Sequence, residues 1–405
     1  AIGADFFATH SVEEMGTWTD FELGKKGRLA EPLLLKEGAT HYTAIGWDNA
    51  FKMIAAEINS LSNPDEAAFY TSGRTSNEAA FLYQLFVRMT GTNNLPDCSN
   101  MCHESSGKAL SETIGVGKGT VTLDDIHDAE LLIVIGQNPG TNHPRMLTAM
   151  EKCKQNGGKI IAINPLPEPG LLHFTNPQNP GKLLSGGTAL ADLFLQVRIN
   201  EDVALLKAIM LMMLEAETQQ PGTVFDRAFI EAHTSGYDYF IKSLKQHSVD
   251  ACIAQTGVDK AAIEAAAEMI AQKEKIIICW AMGLTQHENA VDNIKEIVNL
   301  LLLKGSIGKP GAGVCPVRGH SNVQGDRTMG IWESAPDSFL NKLEDVFQFK
   351  TSRNHGYDVV NSINAMHDGR LKLFFAMGGN FLSAAPDTLY TADALRKTNL
   401  TVHVS

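Results

Sequence analysis

"AELLIVIGQNPGTNHPRMLTAMEKCKQNGGKIIAINPLPEPG", residues 129–170, decides how this chain folds. Leu131–Ile135 is apolar without a break, as a strand covered on both faces must be. Gln137–Pro144 is polar and holds Pro139 and Gly140, which predicts a turn. A helix is expected over about 145–155, and Ile160–Ile163 reads as a second buried strand. Strand, helix, strand at this spacing is a βαβ unit, and it implies a parallel sheet covered by helices. The pattern returns at "KEKIIICWAMGLTQHENAVDNIKEIVNLLLLKG" (273–305) and at "RLKLFFAMGGNFLSAAPDTLYTADALRKTNLTVHV" (370–404). "EAAFYTSGRTSNEAAFLYQLFVRMTG" (66–91) adds a strand at 67–70 and a helix at about 76–89. No internal repeat is visible. The fold expected is α/β of the doubly wound type.

Ligands of such sheets bind beyond the carboxyl ends of the strands. Three strands end in similar turns: "IGQNPG" (135–140), "WAMGLTQ" (280–286) and "FAMGGNF" (375–381). Glycine lets a backbone approach a ligand closely, and a following helix offers free N–H groups to phosphate. Three such turns in one chain predict a large phosphate-bearing ligand, or two, across several strand ends. "GVGKGT" (115–120) fails as a P-loop because Gly119 follows Lys118, and Thr120 stands where GxGxxG needs its last glycine.

"KGSIGKPGAGVCPVRGHSNVQGDRTMG" (304–330) reads as a long functional loop with little regular structure. Arg318 is its natural anion anchor, and His320 can donate to the same ligand. Elsewhere, "NLPDCSNMCHESSGKALSETIG" (94–115) sets Cys102, His103 and Glu104 side by side at the start of a helix. A polar setting of this kind fits a reactive thiolate or a metal ligand beside a proton acceptor, or else an incidental loop cysteine.

The composition bounds these readings. The 405 residues are 44% hydrophobic and 20% charged, with a net charge of −12, enough for two or three domains. No basic cluster suggests a nucleic-acid partner. No apolar run reaches the roughly 18 residues of a membrane span. Six cysteines without a CxxC pair fit a reducing, cytoplasmic setting, with Cys279 as a core thiol and Cys153 and Cys252 on helix faces. The chain starts without Met, lacks a signal-peptide pattern and ends in "TNLTVHVS", which reads as a buried strand, so a fragment of a longer protein is expected.

Taken in order, "GRLAEPLLL", "YTAIGWDNAFKMIAAEI", "TSGRTSNEAAFLYQLFVRMTGTNNLPDCSNMCH", "LLIVIGQNPGTNHP", "AINPLPEPG", "AMGLTQHENA", "KGSIGKPGAGVCPVRGHSNVQG" and "AMGGNF" resemble the molybdopterin-dependent oxidoreductases of the formate dehydrogenase type. The likeness runs through nearly the whole chain and extends to the bacterial oxidoreductase alpha (molybdopterin) subunits. It implies two interleaved Rossmann-like αβα domains, of the formate dehydrogenase and DMSO reductase arrangement. One would comprise 43–97 plus 321–405 and the other 98–320, with 1–42 as the tail of an N-terminal domain.

The resemblance also implies a molybdenum bis(molybdopterin guanine dinucleotide) cofactor, with Cys102 as the metal ligand. His103 would be the proton acceptor and Arg318 the residue that orients a small carboxylate. The cofactor contacts would be Gly136, Gln137, Asn138 and His143; Asn164 and Pro165; Met282, Gly283 and Gln286; His320; and Gly378, Gly379 and Asn380. A 4Fe–4S cluster would belong to the missing N-terminal region. Partners would be a small-molecule substrate, possibly formate, and an electron-transfer protein. The chain departs from the family where "CHESS" replaces CHGPS and "VRGHSN" replaces VRGQNN, so Glu104 is expected to point away from an anionic substrate or to be protonated. A metal-free structural subunit of a redox complex, or an unrelated nucleotide-binding enzyme, are the competing readings.

Overall fold

The computed structural model describes residues 1–178 and 187–404. The chain divides into two compact units, one formed by 1–97 with 326–405 and the other by 98–325. The strands of the two main sheets are, in chain order, β1 (Ala67–Thr71), β2 (Leu131–Ile135), β3 (Lys159–Ile163), β4 (Leu193–Leu195), β5 (Ile276–Trp280), β6 (Gly313–Pro316), β7 (Leu373–Met377) and β8 (Leu400–Val404).

In the discontinuous unit the sheet order is β8-β7-β1, with both pairings parallel. β1 is buried along its length, and Ser76 caps the helix that follows it, α1 (Asn77–Met89), by accepting from the Ala79 N–H. Phe69, Tyr83, Val87, Leu95 and Leu373 form its core. Arg88 is fully buried and donates to the carbonyls of Gly330 and Trp332, which ties α1 to the returning segment. The final strand departs from expectation: β8 lies at the sheet edge and is partly exposed. Its Leu and Val residues read as core, but among the described residues only one flank has a strand to pair with.

The contiguous unit carries a parallel sheet in the order β6-β5-β2-β3-β4. The chain runs outward from β2 to β4, then returns to start again at β5. The switch point of this doubly wound sheet therefore lies between β2 and β5, where the strand order reverses. The side chains of β2 alternate between two helical layers. Leu131, Ile133 and Ile135 pack with α2 (Glu104–Ile114) and with neighbouring helices, whereas Leu132 and Val134 pack with α3 (Pro144–Gln155). The first layer includes α4 (Asp202–Gln219), whose leucines and methionines are largely buried, and α5 (Ala290–Leu303).

The stretch 304–330 is not the irregular loop its composition predicts. It contains β6 and a helix at Val323–Thr328. β6 is an edge strand, where Pro316 is tolerated because no ladder partner needs its missing N–H. Its outer side is laced to Thr120, whose N–H donates to Val314 O at 3.0 Å and whose Oγ1 accepts from Val314 N at 3.1 Å. Glycine and proline disguised a strand held by side-chain as well as backbone bonds.

Candidate active site

The Cys102 loop leaves a short 3-10 turn, Cys98–Met101, and enters α2 with His103 at the cap position. Two side chains from the turn after β5 hold its backbone. Thr285 Oγ1 donates to Cys102 O at 2.6 Å, and Gln286 Nε2 donates to Met101 O at 3.1 Å. Cys102 itself is half-buried. Glu104 is exposed and accepts from the Asn100 amide at 3.4 Å.

His103 is 1% exposed. Its Nε2 lies 3.1 Å from Val317 O; a carbonyl only accepts, so Nε2 carries the proton. Nδ1 lies 2.9 Å from Ser106 Oγ, which in turn accepts from Trp280 Nε1–H at 3.0 Å. Burial pushes the ring's pKa down to about 4; the nearby Arg318 charge and His143 push the same way, and the bond to Val317 opposes them. The ring is therefore neutral at pH 7.

A second imidazole repeats the arrangement. His143 Nε2 donates to Arg318 O at 3.2 Å, and its Nδ1 faces Gln137 Nε2 at 3.2 Å. Burial lowers its pKa too. Two rings thus hold the consecutive carbonyls of Val317 and Arg318 at the end of β6. The Arg318 guanidinium also reaches Gly117 O at 3.4 Å.

The glycine turns meet at the switch point. Gly283 N donates to Gly136 O at 3.0 Å. Gly136 has φ +59°, and a Cβ there would lie 2.2 Å from Leu284 Cδ2 and 2.9 Å from the Gly283 carbonyl carbon. A Cβ on Gly283 would lie 2.6 Å from Gly136 O. Only two glycines let these turns touch. The Gln137 side chain is 3% exposed, and its Oε1 finds no hydrogen-bond partner among the described residues. Asn138 caps the helical turn Pro139–Asn142 and donates to Glu168. Asn164 is buried and donates to Leu166 O, while Pro165 O accepts from Gln196. Met282 is exposed beside Gly283.

The discontinuous unit has a related turn after β7. Gly378 and Gly379 have φ +73° and +72°, and Cβ atoms on them would lie 3.3 Å and 3.0 Å from atoms of Ser72. Ser72 is buried, and its hydroxyl has no partner among the described residues. Asn380 caps the following helical turn by accepting from Ser383 N.

The contiguous unit therefore gathers Cys102, His103, Gln137, His143, Met282, Gly283, Gln286 and Arg318 around the ends of β2, β5 and β6. Asn164 and Pro165 follow the neighbouring β3, His320 lies two residues past Arg318, and Gly378–Asn380 belong to the other unit. Sequence reading missed Ser106, Trp280, Thr285 and Ser72. Ser106 had one faint signal, since it stands three residues past His103 on a helix and so shares its face.

A protein described as an uncharacterized oxidoreductase in Mycobacterium tuberculosis (strain ATCC 25618 / H37Rv) is 54% identical over 404 residues, covering 100% of this chain and 52% of its own length. Protein YdeP of Escherichia coli (strain K12) is 46% identical over 409 residues, again covering all of this chain and 54% of its own length. The alpha subunit of an F420-dependent formate dehydrogenase from Methanococcus maripaludis is 29% identical over 414 residues, covering 99% of this chain and 57% of that one. This chain thus spans about half the length of the curated relatives it matches. Among solved structures, acetylene hydratase from Pelobacter acetylenicus shares the fold with a TM-score of 0.68 at 18% identity, over 90% of this chain and 51% of that one. The family model described as molybdopterin oxidoreductase matches residues 28–404. With nearly the whole chain matched, and with glycine turns meeting at the switch point of a doubly wound sheet, the chain belongs to the molybdopterin oxidoreductase family.

Proposed function

We propose that the intact protein is a molybdenum-dependent oxidoreductase acting on a small anionic substrate, with formate as the first candidate. Family membership implies a molybdenum–pterin cofactor. The observation that carries the finer reading is the packing of the Cys102 loop, His103 and the Arg318 backbone against one another at the carboxyl ends of β5 and β6.

The residues present fit such a group. Gln137 Oε1 and Ser72 Oγ are buried acceptors without partners among the described residues, each beside a glycine turn. A pterin dinucleotide would be held by Gly136, Gln137, Asn138 and His143, by Asn164 and Pro165, by Met282, Gly283 and Gln286, and by His320. A second, making the bis form, would use Gly378, Gly379 and Asn380. Cys102 offers the soft thiolate that suits molybdenum. Bound there, the metal would supply a two-electron redox couple.

The chain's own residues would do the rest. Arg318 binds the substrate carboxylate through charge-assisted hydrogen bonds. His103 is neutral, the form able to accept a proton, and the nitrogen free of hydrogen is Nδ1, which faces Ser106. Glu104 is exposed, where solvent screens its charge from the anion. The electrons would pass to a separate partner protein, by way of a 4Fe–4S cluster in the N-terminal part of the longer protein. The six cysteines are all free thiols, which supports a cytoplasmic setting. No helix among the described residues is long and apolar enough to cross a membrane.

The test is molybdenum, tungsten and iron content, with pterin release, on the intact gene product made in a host that synthesises the cofactor. Near-stoichiometric metal is expected, and Cys102→Ala should abolish turnover. Arg318→Ala should raise KM for formate or a related carboxylate roughly tenfold to a hundredfold, the value of a lost hydrogen-bonded charge. A folded, full-length product without metal or pterin would replace this reading with the structural-subunit one.

A further inference from the structure

The side chains behind Arg318 form a chain of donors with a fixed direction. We propose that Ser106 is a positioning residue: with Trp280 it sets the tautomer of His103, so that His103 and His143 together clamp the Val317–Arg318 backbone and fix how Arg318 is presented.

Counting protons gives the direction. Indole Nε1–H can only donate, so Ser106 Oγ receives it. The hydroxyl has one proton of its own, and the acceptor in reach is His103 Nδ1 at 2.9 Å. The Val317 carbonyl at 3.1 Å can only accept, so Nε2 carries the one hydrogen of the neutral ring, and Nδ1 is the bare nitrogen that takes the hydroxyl proton. The other tautomer would set the Nε2 lone pair against the carbonyl lone pairs in a site that excludes water; His103, Ser106 and Trp280 are 1%, 0% and 0% exposed. Trp280 contributes twice, since its own carbonyl accepts from Val317 N at 2.8 Å.

The neighbouring carbonyl is held in the same way. Gln137 Nε2–H donates to His143 Nδ1, which leaves Nε2–H of His143 for Arg318 O. Two donor chains, one from α2 and β5 and one from the turn after β2, end on adjacent peptide groups. A peptide held by one bond can still pivot about it, whereas two adjacent held carbonyls fix both peptide planes flanking the Arg318 Cα. Ser106 contributes no charge, and its hydroxyl must turn from donor to acceptor when Nδ1 takes up a proton. Until then its part is to keep the neutral ring pointing one way.

This inference rests on Arg318 being the substrate anchor, but its test does not require turnover. The intact gene product would be labelled with 15N-histidine and its tautomers read by solid-state NMR, with His103 identified by the signals lost in His103→Gln. The rate of Arg318 modification by phenylglyoxal would be followed by mass spectrometry. Wild type should show only the Nε2–H form of His103 and slow modification. Ser106→Ala releases the Nδ1 end of the ring, so the ring should swing off the Val317 carbonyl, populate the Nδ1–H form and speed modification of Arg318 several-fold, and Ser106→Thr should restore both. If Ser106→Ala fails to fold, Trp280→Phe removes the indole donor, along with some buried volume, and should act in the same direction. An unchanged tautomer in the folded variants would overturn the proposal, and so would a changed tautomer with an unchanged Arg318 rate. An Arg318→Ala variant with normal KM would count against the anchor role only, leaving the clamp as measured.

Discussion

Gly136 and Gly157 both have positive φ, +59° and +95°, yet alanine should affect them very differently. At Gly157 a Cβ meets nothing within 4 Å, so the cost is the left-handed backbone alone, about 1 kcal/mol. At Gly136 the same strain adds to contacts of 2.2 Å and 2.9 Å with the turn after β5. Gly136→Ala should therefore lose about 3 kcal/mol or more and part the two turns. Thermal melts of the two variants, with bound pterin as a second readout, would check the contrast; equal losses would mean the turns yield easily. Sequence alone marked Gly136 because it follows an apolar strand. It could not mark Gly283 as its partner, since that contact depends on β2 and β5 being neighbours. Ser106 was illegible for the same reason: its role exists only once Trp280, far along the chain, is folded against it.

Elements were legible where burial was complete. β2, β3 and β5 are covered on both faces, so their apolar runs have no other reading. β6 escaped because an edge strand can hold glycine and proline. The end of α4 shows a different kind of hidden signal. Glu217, in its last turn, is 1% exposed and accepts from the N–H groups of Gly222, Val224 and Phe225 and from Arg227 Nε. Burial raises its pKa, but these donors outweigh it and hold the carboxyl at about 2, below its ordinary 4.5. A depressed carboxyl stabilises the fold above its unfolded pKa, and the benefit is lost as pH falls from about 4.5 through about 2. Glu217→Gln should cost about 1–3 kcal/mol at pH 7. The gap in Tm between wild type and variant should close as the pH is lowered from 5 toward 2. A gap that stays constant with pH would show that the carboxylate's charge contributes nothing.

At the scale of the molecule, the order of motifs along the chain revealed the family, because each strand-end turn keeps its place even where single motifs are weak. The units differ in how they are assembled. The sheet of 98–325 is built wholly from its own strands, with buried residues on both faces. The other sheet needs β1 and β7, paired with Phe69 opposite Phe375, from opposite ends of the chain. Residues 98–325 expressed alone should therefore fold, with a cooperative thermal transition and a near-UV circular dichroism signal. Residues 1–97 alone should not, because β1 would have no strand to pair with and Phe69 no core to enter. If 98–325 instead bound hydrophobic dyes and lacked near-UV signal, as loosely packed states do, its core would depend on the segments that flank it.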